Sequence, residues 1–181
     1  MSTGVSLSGF DSPAVGFEQA FEMLEACHER VQRSLALLGK LVDHIDLHGH
    51  DAQSRSAAAD VLRYFDIAAP LHHDDEEKNV FPLLLSRDDA DLLADVRGLQ
   101  SDHRRMSALW TVLREPLLRW CQPLSSDPID AATREVMASF RELYAAHIEI
   151  EESRVYPAAS ALMDAAALQD MGQQMRARRQ S

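Results

Sequence analysis

Two stretches of this 181-residue chain repeat one another, HHDDEEKNVFP at residues 72–82 and HIEIEESRVYP at residues 147–157. Both fit H-x-x-x-E-E-x-x-V-[F/Y]-P, at an offset of 75 residues. The same offset carries His28 onto His103, and each of these precedes the first His of its motif by 44 residues. The chain therefore reads as a duplicated unit. Each copy bears one His on its first segment and His-x-x-x-Glu on its second.

The segments that carry these residues have a helical period. Eleven, seven and four residues before the four histidines stand Phe17, Phe21 and Leu24; Val61, Phe65 and Ala68; Leu92, Val96 and Leu99; and Val136, Phe140 and Leu143. All twelve are apolar, in a chain that is 46% hydrophobic. This is the stripe of a core-facing helix, and each His continues it. The first helix is predicted from Phe17 to Leu47, closed by Gly49, and the second from Ser54 to Leu85, with a kink or restart at Pro70. A third follows Ser86–Asp89 along Leu92, Val96, Leu99, Met106, Trp110, Leu113 and Leu117. Pro116, Pro123 and SSDP read as a loop, with Asp127 as N-cap and Pro128 as the first residue of a fourth helix running toward Pro157. No strand pattern competes. The expected fold is all-α, an up-down-up-down four-helix bundle made of a duplicated helical hairpin. Residues 1–16 form an N-terminal tail, 17–163 the bundle and 164–181 a C-terminal helical extension.

Composition removes other classes. A net charge of −11 argues against binding a phosphate backbone. No apolar run approaches the ~20 residues that cross a bilayer, and the first residues show neither a basic nor an apolar signal region, so a cytoplasmic protein is expected. Cys27 and Cys121 form no CxxC, so neither a disulfide framework nor a thiolate metal site is indicated.

The four histidines also share a height. About 20 residues, or ~30 Å of helix, separate His28 from the first turn, and about 18 return to His72, with matching counts around the later turns. Glu76 and Glu151 lie one helical turn beyond His72 and His147, on the same faces. Two carboxylates brought into an apolar interior cost several kcal/mol each unless a cation compensates them. Imidazole with carboxylate suits iron, zinc or manganese, and the pseudo-twofold pattern suits two ions rather than one. If Glu76 and Glu151 bridge, each ion has two His and two carboxylate oxygens, with room for a solvent, oxo or hydroxo bridge and one open position.

These motifs, with the upstream His in CHERV and SDHRRM, resemble the haemerythrin-like (HHE cation-binding) domains over roughly residues 17–160. The resemblance implies a four-helix bundle with a non-haem di-iron centre of two iron ions, held by His28, His72, Glu76, His103, His147 and Glu151. It departs from the oxygen-carrier haemerythrins, since Ser107 stands where those have a fifth His and the last acidic ligand is a Glu at i+4. The set is more similar to the di-iron domain of bacterial iron–sulfur cluster repair proteins and of some iron or oxygen sensors. The implied function is to bind or react with a diatomic such as dioxygen or nitric oxide. The alternatives are a di-iron oxidase or peroxidase and a metal-stabilised iron-handling or interaction module.

Neighbouring polar residues have quieter readings. His73 has Ile148 as its counterpart and reads as a flanking surface residue, while Glu77 and Glu152 turn off the stripe toward solvent or toward a supporting role. His44, His48 and His50 read as a cap and loop, and Cys27 as a packed thiol. Met106 and Trp110 suit either packing or a small-ligand pocket. Ala68 is the small residue that leaves space beside the metals, and Tyr144 is the candidate proton donor.

Overall fold

The computed structural model describes residues 16–126 and 128–180, and every regular element among them is helical. Helix α1 is Ala20–His48. Helix α2 is a continuous run of Ala52–Arg63, a π turn at Tyr64–Ala68, Ala69–Asp75, a second π turn at Glu76–Val80 and Phe81–Leu85. Helix α3 is Ala90–Trp120. Helix α4 combines Ala131–Ile150, a π turn at Glu151–Val155 and Tyr156–Ser160. Helix α5 is Ala165–Arg178.

Local chemistry sets the ends. Gly49 closes α1 with φ 74, a left-handed conformation that favours glycine. Asp51 and Ser54 cap α2 reciprocally, each side chain accepting the other's backbone N–H, and His44 Nε2 lies 3.0 Å from Asp51 Oδ2. Asp89, Asp130 and Asp164 cap α3, α4 and α5 by accepting from Leu92, Thr133 and Ala167. The fourth helix thus starts at Ala131, capped by Asp130, and not at Pro128, and the N-cap expected at Asp127 lies outside the described residues. So does the expected tail, Gly16 excepted.

Proline is handled in two ways. Each π turn ends two residues before a proline, just ahead of Ala69-Pro70, Phe81-Pro82 and Tyr156-Pro157. The widened turn, in which Ala69, Phe81 and Tyr156 donate five residues back, takes up the ring and the missing N–H that a regular turn would not accommodate. The interruption expected at Pro70 takes this form, and α4 continues through Pro157. Pro116 does not begin a loop: it is buried inside α3, which runs on to Trp120. Leu113, Leu117 and Trp120 are all but fully buried there, and their burial offsets the ~3 kcal/mol that an internal proline costs.

Side-chain contacts fix the helix directions. Tyr64 reaches Cys27 between α1 and α2, Gln100 reaches Glu77 and Trp110 reaches Asp66 between α2 and α3, and Arg154 reaches Asp95 between α3 and α4. Arg134 pairs with Asp46 near the start of α4 and the end of α1. Successive helices are therefore antiparallel. Two apolar clusters fill the interior, one around Leu38, Leu113 and Phe140 and the other around Leu24, Phe81, Leu99 and Met175. The histidines lie between them. The C-terminal helix is part of the bundle: Met171 and Met175 are buried, and Arg178 and Arg179 both bond the fully buried Asp75 at 2.7 Å.

The π turns also shift phase. An extra residue before Pro70 turns Ala69 inward, 2% exposed, and leaves Ala68 half-buried, so Ala69 is the small core residue and not Ala68. On α4 the core position expected at Val136 belongs to Met137.

Candidate metal centre

All six sequence-predicted residues meet in the buried interior. His28, His72 and His147 are 1%, 2% and 2% exposed, His103 is 6%, and Glu76 and Glu151 are 0%. They form two groups able to hold an ion, His28–His72–Glu76–Glu151 and Glu76–His103–His147–Glu151, in each of which the ligand-type atoms lie within 4.8 Å of one another. Both carboxylates belong to both groups.

Their oxygens divide between the groups. Glu76 Oε1 is 3.3 Å from His72 Nε2 and Oε2 is 3.3 Å from His103 Nε2. Glu151 Oε2 is 3.1 Å from His28 Nε2 and Oε1 is 3.0 Å from His147 Nε2. The Nε2 atoms of His103 and His147 are 3.2 Å apart. Every Nε2 thus points to the centre.

The outer nitrogens are held across the repeat. His28 Nδ1 donates to Glu152 Oε1 at 2.8 Å, and His103 Nδ1 to Glu77 Oε1 at 3.0 Å. Each copy's second glutamate orients the other copy's first-helix histidine, which leaves Nε2 with a lone pair for an ion. His147 Nδ1 faces Asp102 Oδ2 at 3.8 Å. Gln100 also donates to Glu77, at 2.7 Å. The supporting reading of Glu77 and Glu152 therefore has a geometric basis, although both remain partly solvated.

Electrostatics favour a cation here. Glu76 Oε2 and both oxygens of Glu151 are buried without a hydrogen bond among the described residues. Burial drives the Glu151 pKa well up, and the Glu76 charge adds to it. Burial also opposes ionisation of Glu76, but His72, His103 and His147 outweigh it and hold that carboxyl well below its usual range. Burial depresses His72 to about 3, and it depresses His147 as well. His28 and His103 go the other way: burial is outweighed by the close carboxylates of Glu151 and Glu76 respectively, and both are raised. Two divalent ions would more than offset the charge of the carboxylate pair and use the oxygens left without a hydrogen bond. The residues fit a metal pair.

The sequence matches a known family. The model of the Hemerythrin HHE cation binding domain matches residues 19–159. The chain belongs to this family. It is also 31% identical, over 164 residues covering 91% of this chain and 92% of the other, to an uncharacterized protein of Haemophilus influenzae.

One participant escaped the sequence reading. Tyr156, buried, donates a short hydrogen bond to Glu76 Oε1, lies 3.2 Å from His28 Nε2 and stacks on the His28 ring at 5.4 Å. Burial, with the charges of Glu151 and Glu76, keeps its phenol protonated. Its signal was the [F/Y] position of the repeat, where the other copy has Phe81, stacked on His103 at 5.6 Å without a hydroxyl. Tyr144 touches none of the six in this way. Its hydroxyl is 3.5 Å from His73 Nε2. Nor is His73 a surface residue: it is half-buried, stacks on His103 at 4.1 Å and belongs to neither ion-holding group. Cys27 is a buried thiol whose pKa burial pushes up.

Proposed function

We propose that this chain is a non-haem di-iron protein that binds or reacts with a neutral diatomic, dioxygen or nitric oxide, in cytoplasmic sensing, scavenging or stress defence. The observation that carries the reading is the sharing of Glu76 and Glu151 between two buried groups that each add two histidines. One iron would be held by His28 and His72 and the other by His103 and His147, with Glu76 and Glu151 available to both. Iron is favoured over zinc because mixed imidazole–carboxylate sites with open positions suit redox-active metals. When bound, the pair supplies ligand binding and electron exchange. The protein's own groups orient the imidazoles through Glu77 and Glu152, donate one proton-bearing bond from Tyr156 to Glu76, and exclude bulk water.

No helix among the described residues is long and apolar enough to cross a membrane. The test is metal analysis of protein purified from iron-supplied cells, with absorption spectra taken after reduction and again after exposure to dioxygen or nitric oxide. Two irons per chain and a ligand-dependent spectrum are expected. Zinc as the native ion, or spectra indifferent to both gases, would overturn the reading.

A further inference from the structure

The duplication supplies an internal control for asking how a ligand reaches the centre. A cleft of about 450 Å³ opens between α2, α3 and α4, lined among others by Ala69, His73, Glu77, His103, Ser107 and Tyr144. It is far larger than a diatomic and is the one of the five cavities described whose wall includes any of the six ligand-type residues. Shifting back by 75 residues takes Ser107 to Gln32 and Tyr144 to Ala69. The corresponding hollow, about 470 Å³ and lined by Gln32, Leu35, Ala36 and Ala145, touches no ligand-type residue.

Exposure follows the same asymmetry. His103 is 6% exposed against 1% for His28, its counterpart. Where the open half has His73, the closed half has Ile148, 4% exposed and packed in the core. Tyr156 adds a second closure, because its hydroxyl already occupies space beside His28 and Glu76, whereas Phe81 puts no polar atom beside His103.

Resting on the di-iron reading, we propose that exogenous ligands enter through this cleft and bind at the metal position formed by His103 and His147. His73 and Tyr144, which line it with Tyr144 Oη 3.5 Å from His73 Nε2, form the gate. Tyr156 keeps the His28–His72 position closed. The cleft wall carries Asp74 and Glu77 against Arg104, and the chain as a whole is acidic, so the route favours neutral ligands over small anions.

The test uses nitric oxide and the full-length, iron-loaded, reduced protein in an anaerobic stopped-flow experiment. Ser107→Trp fills the cleft at an exposed position, and Gln32→Trp places the same bulk at the equivalent exposed position of the closed half. Ser107→Trp is expected to slow nitric oxide association by about tenfold or more and Gln32→Trp by less than about twofold. Iron content is measured on every sample. Iron-loaded variants with equal association rates would overturn the entrance while leaving the metal centre standing. Protein that holds no iron would overturn both. A greater slowing by Gln32→Trp than by Ser107→Trp would overturn the proposal by placing the entrance on the other half.

Discussion

Laid over one another at the 75-residue offset, the two halves of the chain agree on His28 with His103, His72 with His147, Glu76 with Glu151 and Glu77 with Glu152. They disagree at the next layer: Phe81 faces Tyr156, His73 faces Ile148, Cys27 faces Asp102 and Ala69 faces Tyr144. The agreeing residues form the two groups able to hold an ion or bond to the histidines of those groups. The disagreeing ones decide what else touches the ions. A duplicated frame can thus present two equivalent metal positions and still treat them differently. The difference lies in packing: a phenol lies beside His28 and Glu76, and a cleft reaches His103.

The largest break in the symmetry should come from removing a shared ligand. Glu76→Ala or Glu151→Ala takes a carboxylate from both ion-holding groups at once, so either variant should fall from two metals per chain to one or none while helical circular dichroism persists. Full occupancy by elemental analysis in both variants would refute the bridging role. By contrast, His73→Ala should keep both metals and His72→Ala should not.

Metal removal comes next. A ligand bound only by the folded state adds about 4 kcal/mol when its free concentration is a thousandfold above Kd, which for a domain of this size corresponds to a fall in Tm of roughly 10 °C on chelation. The sign of the pH dependence follows from His28 and His103, whose pKa values are raised in the metal-free protein by Glu151 and Glu76. Below those raised values iron must displace protons from both imidazoles, so its contribution is full at higher pH and shrinks as pH falls through them. Differential scanning calorimetry with and without chelator, at about pH 8 and about pH 5, should therefore show a large gap at the first and a small one at the second. An unchanged midpoint after verified metal loss at the higher pH would refute the buried site.

A smaller effect tests the reciprocal supports. Glu77→Gln and Glu152→Gln each weaken the carboxylate behind one first-helix histidine and should each lower iron affinity about 10- to 100-fold in a chelator competition. Equal losses would show that this layer respects the duplication. A loss confined to one variant would show that the asymmetry extends to the support as well.

The smallest effect is spectroscopic. Tyr156→Phe copies Phe81 into the closed half and removes the bond to Glu76 Oε1, with little change in metal content expected. Mössbauer spectra of the wild type should show two inequivalent irons, and the variant should bring their parameters closer. Two identical sites in the wild type would mean that the phenol does not distinguish them.

The ligand-type residues were legible because helices translate sequence spacing into direction. His at a stripe position followed by Glu one turn on can only place both side chains on one face, whatever the neighbouring helices do. The same logic read Gly49 as a terminus and helix as the only regular structure. It misread Pro116, because burial of Leu117 and Trp120 is a tertiary contribution that local propensity does not contain. It misplaced the small core residue at Ala68, because a regular 3.6-residue count does not contain the π turn that hands that place to Ala69. It treated His73 as surface, because nothing in HHDD announces a ring stacked on His103 from another helix.

Sequence alone therefore determined the helical class, the duplication and the six side chains that face one another, all properties of spacing along a single helix. Only the tertiary structure decided which oxygen lies nearest which histidine, that Glu77 and Glu152 cross over to the opposite copy, that the Tyr156 hydroxyl lies against Glu76 and His28 and that a cleft reaches His103. Those facts depend on the rotation and separation of neighbouring helices. Packing of side chains between helices sets both, and periodicity within one helix does not encode them.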